Sequence, residues 1–172
     1  MTPCTCPARD DWNEPTAQPA PVPGTANRRD RFSPEGTALF AYGTLQFDSV
    51  LEALIGRIPE RLKASAPGWR AASLAGRVYP GLVAAPGSTA PGVLLADLSR
   101  REWAILDAFE DDRYDLREVS LTSGGPGLAY VWPDGEVCDE VWDAEEFRAR
   151  HLQEYAARCA RIAPRLAAEA GQ

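Results

Sequence analysis

The sequence predicts an α+β fold: a small mixed, barrel-like β-sheet flanked by helices. Three observations carry this. Short apolar or alternating runs recur at the length of strands, punctuated by Gly and Pro. Two stretches between them repeat their apolar residues at helical spacing. A final stripe, Leu152, Tyr155, Cys159, Ile162 and Leu166, keeps a 3-4-3-4 rhythm, so one face of a long helix docks on the sheet.

The elements follow in order. Residues 1–36 hold seven of the 15 prolines and few large apolar residues, which predicts a mobile extension that cannot offset its ordering entropy. The folded domain is expected over 37–172. Thr37 to Tyr42 is a nearly continuous apolar run, a buried strand, and Gly43-Thr44 breaks it. Asp48 caps a helix carrying Val50, Leu51, Leu54 and Ile55, which Gly56 and Pro59 end. Weak alternation from Trp69 to Val78 suggests a strand, Tyr79-Pro80-Gly81 a turn, and Leu82-Val83 and Gly92 to Leu95 two more strands around a Pro/Gly-rich loop. Ser99-Arg-Arg-Glu102 is a capping box opening a helix with Trp103, Leu106 and Phe109 on one side. Tyr114 to Leu121 alternates with a change of phase that suggests a bulge. Ser123 to Gly127 is a loop into the strand Leu128 to Trp132, and Pro133-Asp134-Gly135 is a tight turn into a strand over Val137 to Val141. Asp143 with Glu146 starts the last helix, which Pro164 should end or kink.

Composition excludes several functions. The chain has 172 residues and a formal charge of -7, with Lys63 its sole lysine. An acidic chain without a basic run lacks the clustered cations that nucleic acid requires. No apolar stretch is long enough to span a membrane as a helix. No secretory leader is visible, so the expected location is the cytoplasm. The four cysteines, Cys4, Cys6, Cys138 and Cys159, show no framework spacing and read as free thiols. The one histidine, His151, lies in a charged helical run and reads as a surface imidazole. A zinc site needs about four N or S ligands, so no metal is expected.

Three groups of residues can carry chemistry. Glu110 lies four residues after Leu106 and seven after Trp103, on the apolar stripe near the C-terminal end of its helix. Facing the core there, desolvation and the negative end of the helix dipole would both push its proton affinity toward neutrality, where a carboxyl both takes and returns a proton. Spacing alone also allows Glu110 to fray into solvent beside Asp111 and Asp112. The second group is Tyr42-Gly43-Thr44-Leu45, where a glycine after a buried strand admits a ligand and exposed amides suit a carboxylate or an oxyanion; an ordinary tight turn has the same residues. The third is Tyr114, four residues past Glu110, placed either to orient a substrate or to fill the core.

Taken in order, these residues resemble the gamma-glutamylcyclotransferase-like family, which includes gamma-glutamylamine cyclotransferases and the plant avirulence-induced proteins. The resemblance runs through Phe40-Ala-Tyr-Gly-Thr-Leu45, Tyr79-Pro-Gly-Leu-Val83, Gly92-Val-Leu-Leu95, Leu106-Asp-Ala-Phe-Glu110 with Tyr114 beyond it, and Trp142-Asp-Ala-Glu-Glu-Phe147, covering about residues 37–155. It implies a small barrel surrounded by helices with one deep pocket. It implies that Glu110 is the acid/base, that the backbone of Tyr42 to Leu45 binds the glutamyl end of a small-molecule gamma-glutamyl amide, and that no cofactor is needed. The expected reaction is intramolecular acyl transfer releasing 5-oxoproline and an amine. A non-catalytic small-acid binding module of the same fold, or an accessory enzyme removing a gamma-glutamyl protecting group, would share these residues. Two positions depart from the family pattern: Asp111 stands where many members have Gly, and Leu116 where many have Arg. The leaving amine and the oligomeric state are not specified by the sequence.

Overall fold

Five strands close into a curled mixed sheet in this computed structural model, which describes residues 37–133 and 137–171. The proline-rich segment 1–36 and most of the Pro133-Asp134-Gly135 turn therefore lie outside the described residues. The elements are β1 (Leu39–Ala41), α1 (Asp48–Ile55), β2 (Arg61–Ala72), β3 (Gly81–Leu95), α2 (Arg100–Phe109), β4 (Asp115–Leu121), β5 (Gly125–Val131), α3 (Ala144–Arg150) and α4 (Leu152–Ala170), with a short 3-10 turn at Thr44–Gln46. The strand order is β2-β3-β1-β5-β4. β1 runs antiparallel to β3 and parallel to β5. At its other end β3 meets β5 directly, with Leu82 opposite Val131. The curl is completed where the Thr122 amide donates to the Ser65 carbonyl at 2.9 Å, joining the edge strand β2 to the β4–β5 turn.

Alternation along β1 divides the core in two. Leu39 and Ala41 face the helices. Phe40 and Tyr42 face the barrel interior with Ala64, Ala66, Ala90, Ala129 and Val131. A strand buried on both faces reads as a continuous apolar run, as Thr37 to Tyr42 does. The helices are set by local chemistry. Gly56, at φ 75°, ends α1 in the left-handed conformation that favours glycine. Ser99 accepts from the Glu102 amide and Glu102 bonds back to the Ser99 amide, the predicted capping box of α2.

Four expectations need correction. Residues 81–95 form one strand, not two: the pairing with β2 shifts between Pro67 and Trp69, and positive-φ Gly68 and Gly87 absorb the bend. The Pro/Gly-rich loop is therefore a kink inside a ladder. β4 carries no bulge; its register with β5 is unbroken from Asp115 to Leu121. Its change of phase arises because Leu116 meets the helix-side core while Val119 and Leu121 face the interior. Residues 137–141 form no strand, only a bridge between Val141 and Ala72. There the chain winds around Arg70, whose guanidinium donates to the carbonyls of Cys138, Asp139 and Glu140. The final helix is interrupted at His151, and Pro164 lies inside α4 without ending it.

Candidate active site

Glu110 is the C-cap of α2, with extended backbone at φ -70° and ψ 145° and its amide still donating to the Leu106 carbonyl at 3.1 Å. The apolar stripe of α2 thus delivers the residue to the edge of the core, half-buried rather than enclosed. Its surroundings are phenolic. Burial pushes the hydroxyls of Tyr42, Tyr114 and Tyr155 above the ordinary tyrosine range, and the negative charge of Glu110 adds to each. Burial likewise pushes the Cys159 thiol up to about 12, again with a contribution from Glu110.

The Tyr42–Leu45 bend lies next to these phenols. Tyr42 anchors it: its hydroxyl donates to the Tyr130 carbonyl at 2.6 Å and accepts from the Leu82 amide at 3.1 Å. Gln46 reaches back to the Tyr42 carbonyl at 2.8 Å. Gly43 passes close to Pro80, where a Cβ would meet the ring at 3.0 Å. The 3-10 turn makes its first bond from the Gln46 amide to the Gly43 carbonyl. The amides of Thr44 and Leu45 precede that bond and have no acceptor within the turn. Leu45 is buried in the helix-side core. Thr44 is the single buried polar residue outside the aromatics among the described residues, and its hydroxyl lies 3.3 Å from that of Tyr155.

Tyr114 sits immediately before β4. Its hydroxyl donates to the Pro80 carbonyl at 2.6 Å, and its ring packs against Tyr79, Tyr130 and Trp132. Pro80 therefore touches both the glycine bend and the tyrosine beyond Glu110. Leu45 and Tyr114 thus lie in the helix-side core, while Tyr42 faces the barrel interior and carries its hydroxyl to the Tyr130 carbonyl.

Other residues of this region escaped the sequence reading. On sequence Tyr155 reads as core on the α4 stripe, and a phenol among Leu, Ile and Cys is the available signal. Tyr130 belongs here too, its hydroxyl donating to Asp107 at 3.0 Å. So does Tyr79, which donates to Asp111 at 3.1 Å. All five tyrosines of the chain thus gather around this region. Asp111 also takes an ion pair from Arg77 at 2.9 Å. Among the described residues, no cluster of three or more His, Cys, Asp or Glu is placed to hold a metal, and no helix is long and apolar enough to cross a membrane.

Known proteins resemble this chain in sequence and fold. Residues 39–149 match the family model described as gamma-glutamyl cyclotransferase, AIG2-like. AIG2-like protein D of Arabidopsis thaliana is 32% identical over 124 residues, 67% of this chain and 82% of its own length. AIG2-like protein C of the same plant is 34% identical over 124 residues, 68% of this chain and 72% of its own length. Among solved structures, the solution structure of an Arabidopsis thaliana protein superposes with a TM-score of 0.57 at 25% identity, covering 76% of this chain and 93% of that one. The chain belongs to the AIG2-like gamma-glutamyl cyclotransferase family.

Proposed function

We propose that this chain is a cyclotransferase that cleaves a small-molecule gamma-glutamyl amide, releasing 5-oxoproline and a free amine, with Glu110 as general acid/base. The observation that carries this reading is that Tyr155 bridges the Glu110 end of α2 and the Tyr42–Leu45 bend. Its ring packs edge-on against Phe109, the residue before Glu110, with centroids 6.3 Å apart, and its hydroxyl lies 3.3 Å from that of Thr44 in the bend.

In this reaction the substrate's alpha-amine is the nucleophile. The Glu110 carboxylate takes a proton from the alpha-ammonium, and the freed amine attacks the gamma-carbonyl carbon. A C–N bond closes the five-membered ring, and the oxyanion or the substrate carboxylate rests on the amides of Gly43 to Leu45. Tyr114 orients the bound amide. Protonated Glu110 then gives its proton to the departing nitrogen as the old amide bond breaks. The carboxylate so regenerated takes the second proton from the ring nitrogen as the lactam forms and passes it to the released nitrogen, so the amine departs as its ammonium and Glu110 is again a carboxylate. Holding amine and carbonyl in one molecule uses the large effective molarity of ring closure. The setting we propose is the cytoplasm, whose reducing conditions suit the free Cys159 thiol.

The test is a panel of gamma-glutamyl amides with amino acid, alkylamine, polyamine and lysine-side-chain leaving groups, assayed for 5-oxoproline by mass spectrometry. Glu110→Gln should lower turnover by about 10²- to 10⁴-fold, the usual contribution of a positioned acid/base. A variant as active as wild type removes Glu110 from the mechanism. Binding of 5-oxoproline without turnover of any amide would make the chain a binding module. The best amine on the panel shows whether a protecting group is being removed.

A further inference from the structure

We infer that the Arg77–Asp111 ion pair is a positioning pair for Glu110, fixing the turn on which the acid stands and balancing the charge beside it. This rests on the proposed role of Glu110. Asp111 follows Glu110 directly in the chain, and its side chain uses both oxygens. Oδ1 accepts the Arg113 amide at 2.9 Å. Oδ2 accepts from Arg77 at 2.9 Å and from the Tyr79 hydroxyl at 3.1 Å. Its carbonyl accepts the Tyr114 amide at 3.0 Å. The turn after α2 is thereby wound around Asp111.

Arg77 brings the opposite wall. It also donates to the Tyr79 hydroxyl, and its guanidinium lies over the rings of Tyr79 and Trp132, 5.5 and 5.2 Å from their centroids. Tyr79 precedes Pro80, whose carbonyl holds Tyr114. A closed circuit therefore runs Arg77, Asp111, Tyr114, Pro80, Tyr79 and back. A carboxylate placed next to the acid would disfavour its ionised form unless a cation offset it. Arg77 is that cation. The two side chains are 29% and 26% exposed, so water weakens their fields without removing them. The other groups around Glu110 are Asp107 one turn earlier on α2, Tyr42 at the bend, Tyr114 and Tyr130 by the sheet, Tyr155 and Cys159 on α4, and Asp112 and Arg113 in the turn itself. None of these is changed by the variants below.

The experiment follows the Glu110 carboxyl carbon by 13C NMR in the folded full chain, its signal assigned by loss in Glu110→Gln. Arg77→Met removes the ion-pair partner of Asp111 and should raise the titration midpoint by roughly half to one pH unit. Asp111→Asn leaves an uncompensated cation and should lower it by a similar amount. The double variant should return close to wild type. Arg77→Lys, which keeps the charge but not the fork, should stay near wild type and guards against a misfolded Arg77→Met. Unmoved midpoints, single variants that shift in the same direction, or a lysine variant that shifts as far as the methionine would each overturn the inference. The acid limb of the turnover profile should move with the NMR midpoint. Because NMR needs no turnover, an inactive chain whose midpoints move as expected sinks the reaction and leaves the charge balance standing. Turnover that needs Glu110 with midpoints that do not move sinks the charge balance alone.

Discussion

Glu102→Gln tests how the helix that delivers Glu110 is anchored. Glu102 closes the capping box at the start of α2, accepting from the Ser99 amide at 2.7 Å. It also takes a two-pronged bond from Arg57, at 2.5 and 2.8 Å, and the same guanidinium reaches the Asp97 carbonyl at 2.7 Å. This joint ties the end of α1 to the start of α2. The hydrogen bond from Arg57 is the main cause that holds the Glu102 carboxyl down at about 2, against an ordinary 4.5. A depressed carboxyl stabilises the fold above its unfolded value and loses that contribution as pH falls toward its folded value. The window is therefore about pH 4.5 down to 2. At about 1.4 kcal/mol per unit, the shift sets a ceiling of roughly 3.4 kcal/mol. Arg57 is 41% exposed, so screening and side-chain ordering reduce this to about 1–2 kcal/mol. Glutamine keeps the cap geometry and removes the charge. Urea unfolding at pH 7 should show the variant less stable by that amount with an unchanged slope. By pH 3 more than half of the gap should be gone. A gap of the same size at both pH values would refute the reasoning.

Three further outcomes are expected. Gly81→Ala drives a Cβ to 2.6 Å from that of Trp132 and should cost about 2–3 kcal/mol, lowering the calorimetric melting temperature by roughly 4–12 °C; an unchanged melt would show that the strand can shift. Tyr155→Phe keeps the rings packed on Phe109 and Phe147 but removes the hydroxyl beside Thr44; it should cost about 1 kcal/mol in urea unfolding and reduce kcat/KM on the best amide, and no change in either would remove Tyr155 from the site. Cys159 is 1% exposed with its thiol pushed up to about 12, so peptide mapping should find it unalkylated after iodoacetamide at pH 8 and fully alkylated in urea; rapid native labelling would show that α4 opens.

What the sequence made legible was local. Ser99 and Glu102 stand three residues apart, and their box forms as their spacing dictates. Glu110 stands out as a candidate because Leu106 and Trp103 precede it by one and two turns. The expected strand over Trp69 to Val78 meets β2 only from Trp69 to Ala72, because Lys63, Ala64, Ser65, Ala66 and Pro67 carry little strand propensity. Their smallness has a tertiary cause: Ala64 and Ala66 face an interior already occupied by Phe40. The candidate site was legible in its acid and its glycine bend but not in the links between its walls. Thr44 and Tyr155 are 111 residues apart, and Tyr79 and Asp111 are 32 apart. No periodicity reports a contact of that separation. The extra strand over 137–141 failed for a similar reason, since only the fold brings Arg70 to those carbonyls.

The barrel interior is densely filled by its own side chains. Phe40, Leu82, Ala66 and Ala129 are nearly or wholly excluded from solvent there. A Cβ on Gly92 would come within 2.8 Å of the Phe40 ring, and one on Gly127 within 2.9 Å of Leu121. Interiors this dense admit no further groups without strain. The small residues of β2, β3 and β5 thus serve to seat Phe40. Its neighbour Tyr42, on the same face, carries its hydroxyl to the Tyr130 carbonyl and the Leu82 amide, where β3 and β5 meet. A barrel plugged by its own strands pushes chemistry to its end. At that end the chain has concentrated its phenols, the one buried threonine among the described residues and a half-buried carboxyl. Each phenol has a protein partner: Tyr42 with Tyr130, Tyr79 with Asp111, Tyr114 with Pro80, Tyr130 with Asp107, and Tyr155 with Thr44. Hydroxyls held in this way form a fixed wall rather than a set of proton donors in search of a ligand. On such a wall the carboxyl of Glu110 is the group suited to carrying a proton between two nitrogens, which is why the acid, and not a tyrosine, bears the proposed reaction.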